Sequence, residues 1–434
     1  MGKILALSVA LPIVGAVAAT GYLTHQNVQS YRTQLAAVLE ETNASLYPQG
    51  MRITLDSVEE KYFGVVRDEN YVLIEMKQGG RIMGFHQQVI IEPTRAYGTF
   101  GIDPEVGMAA VMLANAPGLI DGQQGYWEMN GSTMMLDSHY QTGAFDLRLG
   151  DGPSVTVAPL IVDTTMDLTG DRRSSGKITL ASVSLNKGNG AGEFSLNDME
   201  LTTRSHVMGT QPFVDRINYR VGNIAITEAD GSRVLLRGFE TAQASLLDRG
   251  TYATLITASM DDLKVTLASK DLSVDPSALR LYVDGIHWQS LRSVSEQVQS
   301  AGGEDPAVMI RALSEVGARG ASVTLEDFTS SFVFNDRGPD GIGAAGDVKA
   351  TGYYQLAPGS AESLLQEWAG RSEAGLSVSL SHSLLQSPLA EHMLALIDAG
   401  YIRDDGDRLV SELRFSGGNL TANSLPLDGL VSAE

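Results

Sequence analysis

Ile178-Thr179-Leu180-Ala181-Ser182-Val183-Ser184-Leu185 and Phe194-Ser195-Leu196-Asn197-Asp198-Met199-Glu200-Leu201 decide the fold. Both read apolar-x-apolar-x-x-apolar-x-apolar. Alternation of apolar and polar residues puts one kind of side chain on each face of a strand, with period two. A two-residue gap at the middle changes that parity, which predicts a bulge or a break between two short strands. Lys187-Gly188-Asn189-Gly190-Ala191-Gly192 joins the copies as a loop or hairpin. A partial copy, Val323-Thr324-Leu325-Glu326-Asp327-Phe328, follows much later.

Working outward, residues 51–270 read mostly as strands. Tyr71-Val72-Leu73-Ile74-Glu75-Met76, Val89-Ile90-Ile91 and Ala144-Phe145-Asp146-Leu147-Arg148-Leu149 are β-rich and bounded by Gly, Asp, Asn or Pro. Helical spacing appears at Leu291–Ala318, divided by Gly302-Gly303 and Asp305-Pro306, then at Ala361–Glu373 and Leu389–Ile402. The expected class is mainly β with interspersed helices (α+β), an elongated antiparallel meander. Its expected parts are 1–24 as a membrane anchor or signal peptide, 25–50 as a juxtamembrane helix, 51–290 as a β-rich body, and 291–434 as a helix-containing C-terminal β part.

The N-terminus carries Lys3 before an uncharged run, Ile4–Leu23. About twenty helical residues span roughly 30 Å, the hydrocarbon thickness of a bilayer. A single pass with the basic end inside places residues 25–434 in the periplasm, so the expected location is the inner membrane with an N-in anchor. Ala16-Val17-Ala18 is also a possible cleavage pattern, so removal of residues 1–18 stays open.

The chain has 434 residues, 43% hydrophobic, and no cysteine. That removes disulfides, thiol nucleophiles, zinc-thiolate and iron–sulfur sites. With 31 basic against 52 acidic side chains the net charge is −21. Such a charge repels phosphate backbones and anionic headgroups, although Arg172-Arg173 or Arg216 and Arg220 could grip one headgroup locally.

Motifs for chemistry fail in their flanks. Gly341-Ile342-Gly343-Ala344-Ala345-Gly346 fits a dinucleotide fingerprint by spacing, but the alternating residues after it predict a strand where a helix is needed. Ser174-Ser175-Gly176-Lys177 lacks the first glycine and the final hydroxyl residue of a phosphate loop. His25, His86, His139, His206, His287, His382 and His392 include no i, i+4 pair of a helical zinc site. Asp336, Asp340, Asp404, Asp405 and Asp407 form acidic turns without a full calcium-loop ligand series.

Four pieces together resemble the YdgA-like family of Gram-negative envelope proteins, whose molecular function is uncharacterised. They are the N-terminal hydrophobic run with its following helix, Tyr62-Phe63-Gly64-Val65-Val66-Arg67, the stretch Gly79–Gly98 with His86, and the C-terminal order of elements. That last piece is Ala399-Gly400-Tyr401-Ile402-Arg403-Asp404-Asp405-Gly406-Asp407 and then Leu413–Leu427. Arg67 stands where the family has Ser, and Gln87-Gln88 replaces a Gly-Pro. The resemblance implies a membrane-anchored periplasmic protein and brings no catalytic residues.

These readings lead to the expectation of a binding, scaffolding or assembly protein without catalysis, with a curved β-sheet as the place to hold a lipid or partner segment. The alternative is an envelope hydrolase with a scattered active site, because catalytic groups converge in space and not along the chain. No catalytic, cofactor-binding or metal residues are expected, and no cofactor. Expected partners are an envelope protein or lipid, with a homo-oligomer possible and nucleic acid excluded.

Overall fold

In the computed structural model the described residues are 51–427, apart from short segments of which 294–313 is the longest, together with 39–40 and 43. The expected anchor (1–24) and most of the expected juxtamembrane helix fall outside them. No helix among the described residues is long and apolar enough to cross a membrane. The chain is mainly antiparallel β-sheet. It divides into two compact units, residues 1–190 with 197–217, and 191–196 with 218–434.

In the first unit, β1 (Met51–Tyr62), β2 (Val65–Met76), β3 (Arg81–Ile91), β4 (Arg95–Ile102), β5 (Gln124–Asn130) and β6 (Met135–Gln141) pair antiparallel in chain order. Register brings Val72, Phe85 and Ile102 into line, and Val89, Gly98, Trp127 and Ser138 beside them. Phe85 and Trp127 are 1% exposed and Met129 is fully buried, so this face is a closed core. Gly98 is required there. A Cβ on it would lie 2.7 Å from Trp127 Nε1 and against the Gln88 carbonyl, so only glycine lets the indole lie over the strand. On the rim, Tyr71 donates to Asp103 Oδ2 at 2.8 Å. Burial and that carboxylate push the phenol up to about 12.

Beyond β6 some strands face two shorter ones placed end to end. β7 (Phe145–Arg148), β8 (Ser154–Val157), β9 (Leu160–Asp167) and β10 (Ser174–Asn186) close this part of the unit. The first repeat copy lies inside β10. It is one strand, not two short ones, and it runs past β9 and β8 without a register shift. The break falls in its partner, at Ala158-Pro159, because proline has no N–H to offer the ladder. The second copy lies in β11 (Gly192–Met208) and does carry an irregularity, since Asp198 has φ +56° at the parity change. It too stays one strand.

β12 (Gln211–Glu228) runs across the boundary between the two units. In the second unit, β13 (Arg233–Asp248) pairs with β14 (Thr251–Met260) and β15 (Asp262–Thr266), which both pair in turn with β16 (Lys270–His287). The meander continues through β17 (Ala321–Asp336), β18 (Gly343–Leu356), β19 (Ser372–Ser381), β21 (Arg408–Ser416) and β22 (Asn419–Ala422), with the short β20 (Arg403–Asp404) paired to β21. The third repeat copy is a bulge in β17. Leu325 faces Gly352 while Phe328 faces Ala350, so Glu326-Asp327 stand against the single Thr351 and the strand carries one extra residue. Gly343–Gly346 of the glycine motif opens β18 as a strand, so no helix begins there. Expected helices appear as α2 (Leu364–Arg371) and α3 (Ala390–Asp398), with a 3-10 turn at His382–Gln386. Only the ends of the expected 291–318 helices are described, as helical residues 288–291 and 314–317. Another helix, α1 (Gly118–Asp121), belongs to the first unit.

Candidate functional site

Cross-strand register in the second unit builds two apolar rows on one face of the sheet. The first runs Ile256, Leu281, Leu325, Gly352, Leu376, Leu413, Ala422. The second runs Val283, Val323, Tyr354, Ala374, Phe415, Leu420. From β16 to β22 the rows cross six strands in the order β16, β17, β18, β19, β21, β22. Five spacings of ~4.8 Å make that about 24 Å.

Along this face the fate of the apolar side chains changes. At one end Leu409 is fully buried with Leu384 and Ile402, covered by the 3-10 turn and by Met393, Leu396 and Ile397 of α3. Four residues further along the same strand, Leu413 is only half-buried, as are Leu281, Val323, Leu325, Leu376 and Phe415. Between them lies a hollow of about 350 Å³, lined by these residues with Gly352, Tyr354, Ala374 and Leu420. The sequence makes the hollow. Gly352 leaves a gap in the leucine row, and Ala374 puts the smallest side chain beside it in the next row. A Cβ on Gly352 would lie 2.6 Å from the Gly375 carbonyl and 3.1 Å from Leu376 Cδ1, so the gap cannot be filled without moving backbone.

One end of the hollow carries an aromatic clamp. Trp368 of α2 stands 5.5 Å from the Phe415 ring and donates to the Tyr354 hydroxyl at 3.0 Å, which in turn meets Ser372 Oγ at 3.0 Å. Arg371 fixes the C-terminal end of α2, donating to the carbonyls of Ala357, Ser360 and Gly317 at 2.7–3.2 Å. Cation-to-carbonyl bonds of this kind satisfy helix and loop ends that otherwise lack partners. Trp368 itself stays 45% exposed.

The polar face opposite is stitched by charge. Arg408 donates to Asp347 Oδ1 at 3.0 Å and to the Ser379 carbonyl at 3.0 Å, and Ser381 donates to the same carboxylate oxygen at 2.6 Å. The Ser381 hydroxyl, with Arg408, holds the Asp347 carboxyl below the usual aspartate range.

The histidines do not converge. His139 meets Asp163 at 2.6 Å, His382 meets Asp404 at 3.2 Å, His86 meets Asp103 at 3.5 Å and His206 meets Asp215 at 3.7 Å, each on its own part of the sheets. His287 Nδ1 lies 3.1 Å from Ser290 Oγ and 3.4 Å from the Ser290 backbone N–H, which is a helix-start contact. His392 is exposed on α3, and His25 lies outside the described residues. No group of three or more His, Asp or Glu able to hold a metal ion occurs among the described residues. In the acidic turn, Asp404 accepts from the Gly406 N–H and Asp405 pairs with Arg403 at 2.7 Å. Arg173, Arg216 and Arg220 are exposed and are not among the residues that line the hollow, and Arg172 is outside the described residues.

Compared with family models, with curated proteins and with solved structures, the chain matches none significantly.

Proposed function

We propose that the protein binds a lipid, holding its hydrocarbon chain along the apolar face of β16 to β22 without transforming it. The observation that carries this reading is the half-buried leucine row interrupted at Gly352. Large apolar side chains in a monomer are ordinarily covered, and a contiguous uncovered set marks a place where something apolar sits. A volume of about 350 Å³ is at the lower end of the roughly 300–1,000 Å³ of small-molecule sites, the size for one chain and not for a bulky ring system. Each methylene taken up contributes about 0.8 kcal/mol.

The setting belongs to the same proposal. Lys3, the uncharged Ile4–Leu23 run and the resemblance of residues 399–427 to the YdgA-like family support an N-in inner-membrane anchor and a periplasmic body. A reporter enzyme active only in the periplasm, fused after Glu434, is expected to work, and activity of a cytoplasm-only reporter there overturns the setting. For the binding reading, the test is quenching of Trp368 fluorescence by an acyl chain brominated along its length, with buried Trp127 as the reference.

A further inference from the structure

The two apolar rows do not end in more apolar residues. Followed from β16 back to β13, the second row passes from Val283 to Thr254 and then Ser245, and the first passes from Ile256 to Gln243. Tyr252 stands beside Thr254 on β14, where a register shift against β16 falls between the two. The face that is leucine and valine over six strands thus becomes hydroxyl and carboxamide over the next two, and none of the four side chains is charged.

These groups form one connected cluster. The Gln243 amide nitrogen donates to Ser245 Oγ and to the Tyr252 hydroxyl, both at 3.1 Å. Ser245 Oγ and the Tyr252 hydroxyl are 3.0 Å apart. Ser245 donates to Thr254 Oγ1 at 3.1 Å, and Thr254 donates to the Ala244 carbonyl at 3.3 Å. The cluster is thus one carboxamide and three hydroxyls joined by hydrogen bonds, with no charged side chain among them. Thr254 is 5% exposed, and the Trp288 ring stacks on Tyr252 at 5.9 Å, so the cluster is held in place.

We infer that Gln243, Ser245, Tyr252 and Thr254 form the subsite for the polar end of the lipid, and that this end is uncharged and bears hydroxyl groups. The inference rests on the proposed apolar face and names the ligand class that face accepts. An uncharged polar patch on a chain of net charge −21 has no cation to offer a phosphate or a carboxylate, and the long-range field disfavours both. Thr254 lies two strand spacings, about 10 Å, from Val323 at the edge of the hollow, so one chain and its headgroup span the two regions.

The experiment compares a monoacylglycerol with the fatty acid of the same chain, both binding to the full protein, in wild type and in the Gln243→Leu and Ser245→Ala variants. The monoacylglycerol is expected to bind about tenfold more tightly than the fatty acid, as one or two hydrogen bonds in a sheltered site provide. Gln243→Leu and Ser245→Ala are expected to erase that preference while fatty-acid affinity stays within about twofold, which also shows that the variants fold. Equal affinities in wild type, or a preference that survives both substitutions, overturn the subsite and leave the apolar face standing. Failure of both ligands to bind removes the apolar face itself and the subsite with it.

Discussion

Strands β2 to β6 of the first unit and β16 to β22 of the second obey the same period-two alternation, yet their apolar faces end differently. In the first unit, Val72, Phe85, Val89, Trp127, Met129 and Leu136 are all 2% exposed or less. In the second, complete burial of the large apolar side chains stops at Leu409, where α3 and the 3-10 turn cover it, and Leu413, Leu376, Leu325 and Leu281 stay half-buried, with the small Ala422 buried at the end of their row. The difference lies not in polarity, since both faces are built of aliphatic and aromatic side chains. It lies in what stands over the sheet and in where small residues are placed. Gly98 in the first unit lets Trp127 lie over it, and Gly352 in the second lets the Gly375 carbonyl and Leu376 come close, yet a hollow persists along the face beside Gly352. Both glycines admit a close neighbour, and the second lies in a face that stays part-uncovered.

Alanine substitutions can break this comparison. Phe85→Ala is expected to cost about 3–5 kcal/mol, because a closed core cannot collapse around the lost ring. Leu409→Ala is expected to cost about 2–5 kcal/mol for the same reason. Leu413→Ala, on the same strand and the same face, is expected to cost about 1 kcal/mol or less, since its side chain is already part-solvated. Urea denaturation of each variant reads these values. Equal costs at Leu409 and Leu413 would mean that the second face is covered in solution.

A smaller effect sharpens the account of the opposite, polar face. Asp347 has its carboxyl lowered by Ser381 and Arg408, so its ion pair stabilises the native state above the unfolded aspartate value of about 3.9 and that contribution is lost as pH falls below it. Ser381→Ala removes the largest of these causes. The stability difference between wild type and this variant is expected to be under about 1 kcal/mol, constant above about pH 5, and to shrink as pH drops through 4 toward 2. A difference that does not change with pH means that Ser381 acts on packing and not on the carboxylate. Denaturation curves across that pH range decide between them.

The alternation, the turns and two of the three parity changes were legible in the sequence, and so were α2 and α3. The parity changes at Asp198 and at Glu326-Asp327 are irregularities in the chain that carries them. The change in the first copy misled, because the discontinuity belongs to the neighbouring strand at Ala158-Pro159, and a strand's own letters do not report its partner's proline. The apolar rows were not legible. Leu281, Leu325, Leu376 and Leu413 each look like an ordinary core position, and only the register of successive strand pairs brings them into line. The one local signal was Gly352 inside an otherwise well-formed strand, since a glycine there signals either a close approach or a gap. Gln243, Ser245, Tyr252 and Thr254 were invisible for the same reason, because their meeting depends on register across the β13–β14 hairpin.

Trp127 sits in the closed core of the first unit and Trp368 beside the open hollow of the second, so one titration reads both regions. An acyl chain carrying bromine along its length, added to the full protein, is expected to quench the part of the emission that disappears in Trp368→Phe, and to spare that of Trp127. Ala374→Phe, which fills the hollow, is expected to abolish the quenching. Saturable loss of Trp368 emission that Ala374→Phe prevents is the result predicted for a face that holds a lipid chain. Emission of Trp368 that stays unchanged at saturating chain, or quenching equal at Trp127 and Trp368, contradicts it.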